Sequence, residues 1–108
     1  MNTAEKTAEA MNYLQKYAPR EYGKYLEFTQ TLGGKGGLSP ITLELILVAL
    51  AVMSQCDMCI TLHIENAASL GASREDILQA AFMSVAMGGS PKLMYMSYVF
   101  EALEDLFD

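Results

Sequence analysis

The sequence has little positive charge. Its 108 residues carry 7 Lys and Arg against 13 Asp and Glu, a net charge of −6. Nucleic-acid partners call for a basic footprint, so this balance argues against one. Long hydrophobic runs are absent too. The longest, Leu45 to Met53, is nine residues, where a membrane helix needs about 20. The opening Met1-Asn2-Thr3-Ala4-Glu5-Lys6 lacks the basic-then-apolar order of a secretory signal. Strand-like alternation is nearly missing. There are two cysteines and one histidine in all. These absences leave the expectation of a cytoplasmic, all-α domain spanning residues 1–108, with no membrane or nucleic-acid partner.

What is present reads as about six helices. Thr3 to Tyr17 is rich in Ala, Glu, Lys and Met, and Ala10, Met11, Leu14 and Tyr17 fall near helical spacing. Pro19 opens a second helix at a first-turn position, with Tyr22, Tyr25, Leu26 and Thr29 as its stripe. Gly33-Gly34-Lys35-Gly36-Gly37 then forms a flexible connector. It has neither the preceding strand nor the Gly-Lys-Ser/Thr ending of a phosphate loop. Ser39 caps a third helix, with Pro40 at its first position. This helix is apolar almost all round, which predicts burial on most sides.

Ser54 is expected to cap the fourth helix, with Asp57 answering three positions on. That reading puts Cys56 in the first turn. Gly71 ends the helix. Ser73-Arg74-Glu75-Asp76 starts a fifth and Gly88-Gly89 stops it. Ser90-Pro91 opens a sixth that runs to about Leu106.

Charge and hydrophobicity are both unevenly spread. Residues 1–37 hold five basic and four acidic residues; residues 38–108 hold two and nine. Eight methionines, six tyrosines and 52 % hydrophobic residues are a large apolar content for a small domain. The sixth helix is apolar on more than one side through Leu93, Met94, Met96, Val99, Phe100, Leu103 and Leu106. Surplus apolar surface of this kind predicts a subunit interface. Its competitor is an ordinary core with adaptable methionine filler.

The chemistry concentrates in Cys56-Asp57-Met58-Cys59-Ile60-Thr61-Leu62-His63. In a helix, spacings of three and four residues put Cys56, Cys59 and His63 on one face. A thiol attacks as thiolate, which is favoured at a helix N-terminus and beside a protonated imidazole. Cys56 gains from the first effect and Cys59 from the second. His63 can take and return a proton near neutral pH. Glu44 is the only charged residue between Lys35 and Asp57. An interior carboxylate needs a partner, so Glu44 is expected against His63, as orienter or proton relay. Two other readings compete. Zinc could use Cys56, Cys59, His63 and Glu44 or Asp57, although structural zinc sites usually hold more thiolate. Two inert buried thiols are the second reading.

The order Glu44, Cys56, Cys59, His63, at these spacings, resembles the signature of alkylhydroperoxidase D-like proteins of the carboxymuconolactone decarboxylase superfamily. The resemblance covers roughly residues 40–106. It implies an all-helical bundle that assembles as a homo-trimer or homo-hexamer, and a thiol-dependent peroxidase or disulfide oxidoreductase. It also implies roles. Cys59 attacks the hydroperoxide, Cys56 resolves, and His63 and Glu44 relay protons. No tightly bound cofactor is implied; an external dithiol donor, lipoyl- or thioredoxin-like, is expected. Met58 stands where alkylhydroperoxidase D itself often carries a histidine, and the chain is near one copy of a helical unit that longer members carry twice. The alternatives are the decarboxylase chemistry that names the superfamily, whose branch does not use a cysteine pair, and a non-catalytic redox-sensing oligomer.

Overall fold

A computed structural model describes residues 1–107. Among them lie six α-helices and no strand. They are α1 (Thr3–Tyr17), α2 (Pro19–Leu32), α3 (Pro40–Met53), α4 (Asp57–Ser69), α5 (Arg74–Gly88) and α6 (Ser90–Leu106).

Short polar residues start three of them. The side chains of Asn2, Ser39 and Ser73 accept the amides of Glu5, Thr42 and Asp76 at 2.8, 3.1 and 3.1 Å. Each such cap is worth about 1 kcal/mol, because it satisfies an amide that the helix itself cannot pair. Pro19, Pro40 and Pro91 occupy first-turn positions, where a missing N–H costs nothing.

The core lies between α3, α4, α5 and α6. Val48, Ala51 and Val52 meet Ile60, Ile64 and Ala67, together with Ile77, Ala81, Met96, Val99, Ala102 and Leu103. Ile60, Ile64, Ile77 and Met96 are fully buried. Burying a side chain of that size contributes about 1.5–3 kcal/mol. Arg74, at the start of α5, donates to the Phe107 carbonyl and reaches Glu104 at 3.3 Å. These contacts fasten the start of α5 to the end of α6.

Three local expectations are revised. The stripe expected on α1 is not its buried face. Thr3 and Thr7 are the buried residues there, while Ala10, Leu14 and Tyr17 are exposed. Thr7 tolerates burial because its hydroxyl donates to the Thr3 carbonyl at 2.8 Å. Apolar spacing misled because two threonines near the start of α1 carry its buried side, while Tyr13 and Tyr17 near its end are exposed. On α2, Tyr22, Leu26 and Thr29 are half-buried but Tyr25 is exposed; α2 buries no residue fully and packs chiefly on α1.

The third revision concerns α3. Its Val48–Ala51–Val52 face is buried, yet Ile46, Leu47 and Leu50 are exposed. The sixth helix divides likewise. Met96, Val99 and Leu103 point inward; Leu93, Met94, Phe100 and Leu106 are exposed. The single chain has too few elements to cover both helices on all sides.

Candidate active site

The site is built at the junction of α3 and α4, and its geometry begins with how α3 stops. Ser54 ends α3 rather than capping α4, which corrects the expected start of the fourth helix. The Gln55 amide bonds back to the Val52 carbonyl at 3.0 Å and the Cys56 amide to Ala51 at 3.2 Å. This paired return is a Schellman motif, with Gln55 in the left-handed position at φ 53°. The same motif ends α4. There Gly71, at φ 104°, takes the left-handed position, and the Gly71 and Ala72 amides return to Ala68 and Ala67. Glycine adopts this conformation freely; a residue with a Cβ loses about 1–2 kcal/mol in it.

Cys56 therefore closes one helix and opens the next. It is the N-cap of α4, and its sulfur accepts the Cys59 amide at 3.2 Å. A sulfur in this place sits at the positive end of the helix, where negative charge is favoured. Cys56 and Cys59 are joined in a disulfide with Cα atoms 5.2 Å apart. Both residues are half-buried, so the bond keeps a solvent-facing side. Asp57 turns its carboxylate onto the Met58 amide at 2.9 Å, which employs its charge in capping the first turn. Met58 itself is exposed.

His63 follows Cys59 by one turn on α4. Its Nδ1 lies 2.8 Å from Glu44 Oε2, and the two side chains are 22 % and 20 % exposed. Glu44 comes from α3, so the bond spans the two helices as expected. An ionised carboxylate only accepts, so Nδ1 carries the proton and donates. Nε2 is then free to accept or deliver a proton. Partial burial explains why the pair forms: each group loses some water and regains a charge-assisted bond.

The structure thus joins Cys56 to Cys59 at the α3–α4 junction and pairs His63 of α4 with Glu44 of α3. No group of three or more His, Cys, Asp or Glu among the described residues is disposed to hold a metal ion. No helix among them is long and apolar enough to cross a membrane.

Sequence reasoning missed two neighbours. Gln55 Oε1 accepts from Lys92 Nζ of α6 at 2.7 Å. A signal for Gln55 was available. Only three residues separate Met53 from Asp57, none is glycine, and a reversal that tight needs a left-handed residue. Nothing in the sequence pointed to Lys92.

The fold is a six-helix bundle with a Cys-x-x-Cys disulfide at a helix start and a His–Glu pair between α4 and α3. Comparison with known proteins then fixes the family. The model of the carboxymuconolactone decarboxylase family matches residues 19–104, and the chain belongs to that family. The crystal structure of the apo form of a carboxymuconolactone decarboxylase family protein from Legionella pneumophila superposes with a TM-score of 0.86. It is 33 % identical, and the match covers 98 % of this chain and 95 % of that one. An uncharacterized protein of Cupriavidus necator is 40 % identical over 62 residues, 57 % of this chain and 55 % of that relative. The match thus spans about half of that relative's length. An uncharacterized protein of the cox locus of Paracoccus denitrificans is 27 % identical over 82 residues, 76 % of this chain and 74 % of that protein.

Proposed function

We propose that the protein is a thiol-dependent peroxidase or disulfide oxidoreductase of the alkylhydroperoxidase D type. One observation carries the reading: a Cys56–Cys59 disulfide lies one turn from an imidazole hydrogen-bonded to a carboxylate at 2.8 Å. In the reducing environment of a cytoplasm, a cysteine pair that closes between neighbouring turns is suited to cycling.

The chemistry balances as follows. The Cys59 thiolate attacks a hydroperoxide oxygen, the O–O bond breaks, and an alcohol leaves with a proton delivered through His63. Cys59 is now a sulfenic acid, two electrons more oxidised. The Cys56 thiol attacks that sulfur, a water molecule departs, and the disulfide forms. An external dithiol, lipoyl- or thioredoxin-like, then reduces the pair and becomes a disulfide itself. In that last step the Cys59 amide stabilises the departing Cys56 thiolate.

The exposed apolar residues of α3 and α6 support a homo-oligomer, trimer or hexamer, as part of the same reading. The cysteine pair weighs against decarboxylase chemistry.

The test is hydroperoxide consumption by purified protein with a panel of dithiol reductants. Turnover that needs a dithiol and is lost in both Cys59→Ser and Cys56→Ser supports the proposal. Failure to consume hydroperoxide, with fast exchange of the disulfide, would make it a reductase. Failure of both removes the catalytic reading.

A further inference from the structure

We infer that Lys92 and Gln55 form a latch that positions Cys56 for disulfide closure, with Gly88 leaving the space the latch needs. The inference rests on the redox reading of Cys56 and Cys59. It names Lys92 as a positioning residue, acting through Gln55 and not on the reacting atoms.

Three observations meet here. The first is the turn. Two helices of this protein end in the same backbone motif, and only one of them uses glycine. Gly71 supplies the left-handed residue after α4, whereas Gln55 supplies it after α3. A glutamine resists that conformation. It is also the residue that sets where the Cys56 sulfur points, since Cys56 follows it directly.

The second is the bond. Lys92 Nζ donates to Gln55 Oε1 at 2.7 Å, across 37 residues of sequence. Lys92 is one of only two basic residues after Lys35. Lys92 is half-buried at the start of α6, and its ammonium meets the exposed Gln55 side chain at the protein surface. A side chain resisting its backbone conformation is thereby held from a second element.

The third is the space. A Cβ built on Gly88 would lie 2.4 Å from Lys92 Cγ and 2.8 Å from Lys92 Cε. Gly88 is helical with an ordinary negative φ, so alanine suits its backbone. What glycine provides at this position is room chiefly for the lysine stem and, at 3.1 Å, for the Met53 sulfur.

Together these features preorganise closure. When Cys56 and Cys59 are thiols, a held Gln55 turn keeps the Cys56 sulfur over the Cys59 amide and near its partner. Without the latch the turn samples other conformations, and the effective concentration of one sulfur at the other falls.

The test is a redox titration of the pair against dithiothreitol, each side exchanging two electrons and two protons, followed by alkylation and mass. Lys92→Met is expected to lower the equilibrium constant for disulfide formation three- to ten-fold, which raises the midpoint potential by about 15–30 mV for a two-electron couple. Gly88→Ala keeps the charge, fills the space of the stem, and is expected to shift the constant in the same direction. In a Gln55→Gly background, Lys92→Met should change nothing further, because the turn no longer needs holding. Urea unfolding of each variant establishes that it is folded.

A wild-type pair that does not interconvert with dithiothreitol overturns the redox reading and the latch together. A wild-type pair that cycles, with Lys92→Met unchanged, overturns the latch alone. A Lys92→Met shift that persists undiminished in Gln55→Gly assigns the lysine a direct charge effect on the sulfurs, and also overturns it.

Discussion

His63 Nδ1 and Glu44 Oε2 lie 2.8 Å apart, a bond between residues 19 positions distant in sequence and on different helices. Against an ionised carboxylate the bond places the imidazole proton on Nδ1, and the proposed mechanism uses Nε2 for proton transfer. General acid–base transfer is typically worth about 10²–10⁴-fold in rate. His63→Gln is therefore expected to lower peroxide turnover by about that factor. Glu44→Gln keeps an acceptor but loses the charge, so it should reduce turnover less and displace the pH optimum. Unchanged pH–rate profiles in Glu44→Gln would remove the carboxylate from the mechanism.

The two cysteines are expected to behave differently. The helix terminus favours a thiolate on Cys56; this effect is worth roughly 0.3–1 kcal/mol at exposed sites. The proposed mechanism assigns attack to Cys59, one turn from His63, whose imidazole favours a thiolate there whenever it is protonated. Cys56→Ser should then accumulate a sulfenic acid on Cys59 after one equivalent of hydroperoxide, located by trapping and mass spectrometry. Sulfenic acid found instead on Cys56, in the Cys59→Ser protein, would exchange the roles.

Assembly is predicted from the exposed apolar residues of α3 and α6. Leu50 and Met94 are 52 % and 67 % exposed in the single chain. Light scattering should give a mass of several chains, and Met94→Glu should shift it toward the monomer. A wild-type monomer at micromolar concentration contradicts this.

Stability offers an independent check on the backbone. Gly71 sits at φ 104° with open space around it. Gly71→Ala should therefore cost about 1–2 kcal/mol through conformation alone, read from urea midpoints at constant slope. Ile64 is fully buried, and Ile64→Ala should cost about 2–5 kcal/mol through the cavity it leaves. A loss below 1 kcal/mol at Ile64 would show that the core can collapse around the gap.

Much of the fold was legible because local signals agree with it. Ser39-Pro40, Ser73 and Gly71 state helix ends in chemistry that operates within four residues. Glu44 was legible for another reason: a charge in an apolar run must be answered, and His63 was the one imidazole available. The start of α4 was misread because Ser54 and Asp57 have the spacing of a cap, and because a sulfur was not considered for that role. The face of α1 was misread because threonine, half apolar and able to satisfy its own hydroxyl, carries the contact there. Lys92 was illegible in principle. Its partner is 37 residues away, and nothing local distinguishes it from a solvated lysine.

Cys56, shared by the end of α3 and the start of α4, acts as a hinge pin. Any swing of α4 about that pin moves His63, seven residues along at about 1.5 Å each, while leaving the pin in place. The Glu44–His63 bond ties the two arms at unequal distances from it, about 10 Å out along α4 and, twelve residues back, farther out along α3. Two arms pinned at the vertex and tied by a crossbar form a triangle, the one frame that cannot shear. The Cys56–Cys59 disulfide lies at its vertex and the Glu44–His63 bond is its crossbar. Under the proposed redox function, reducing the disulfide breaks no other bond of this frame and is expected to leave the Glu44–His63 bond in place.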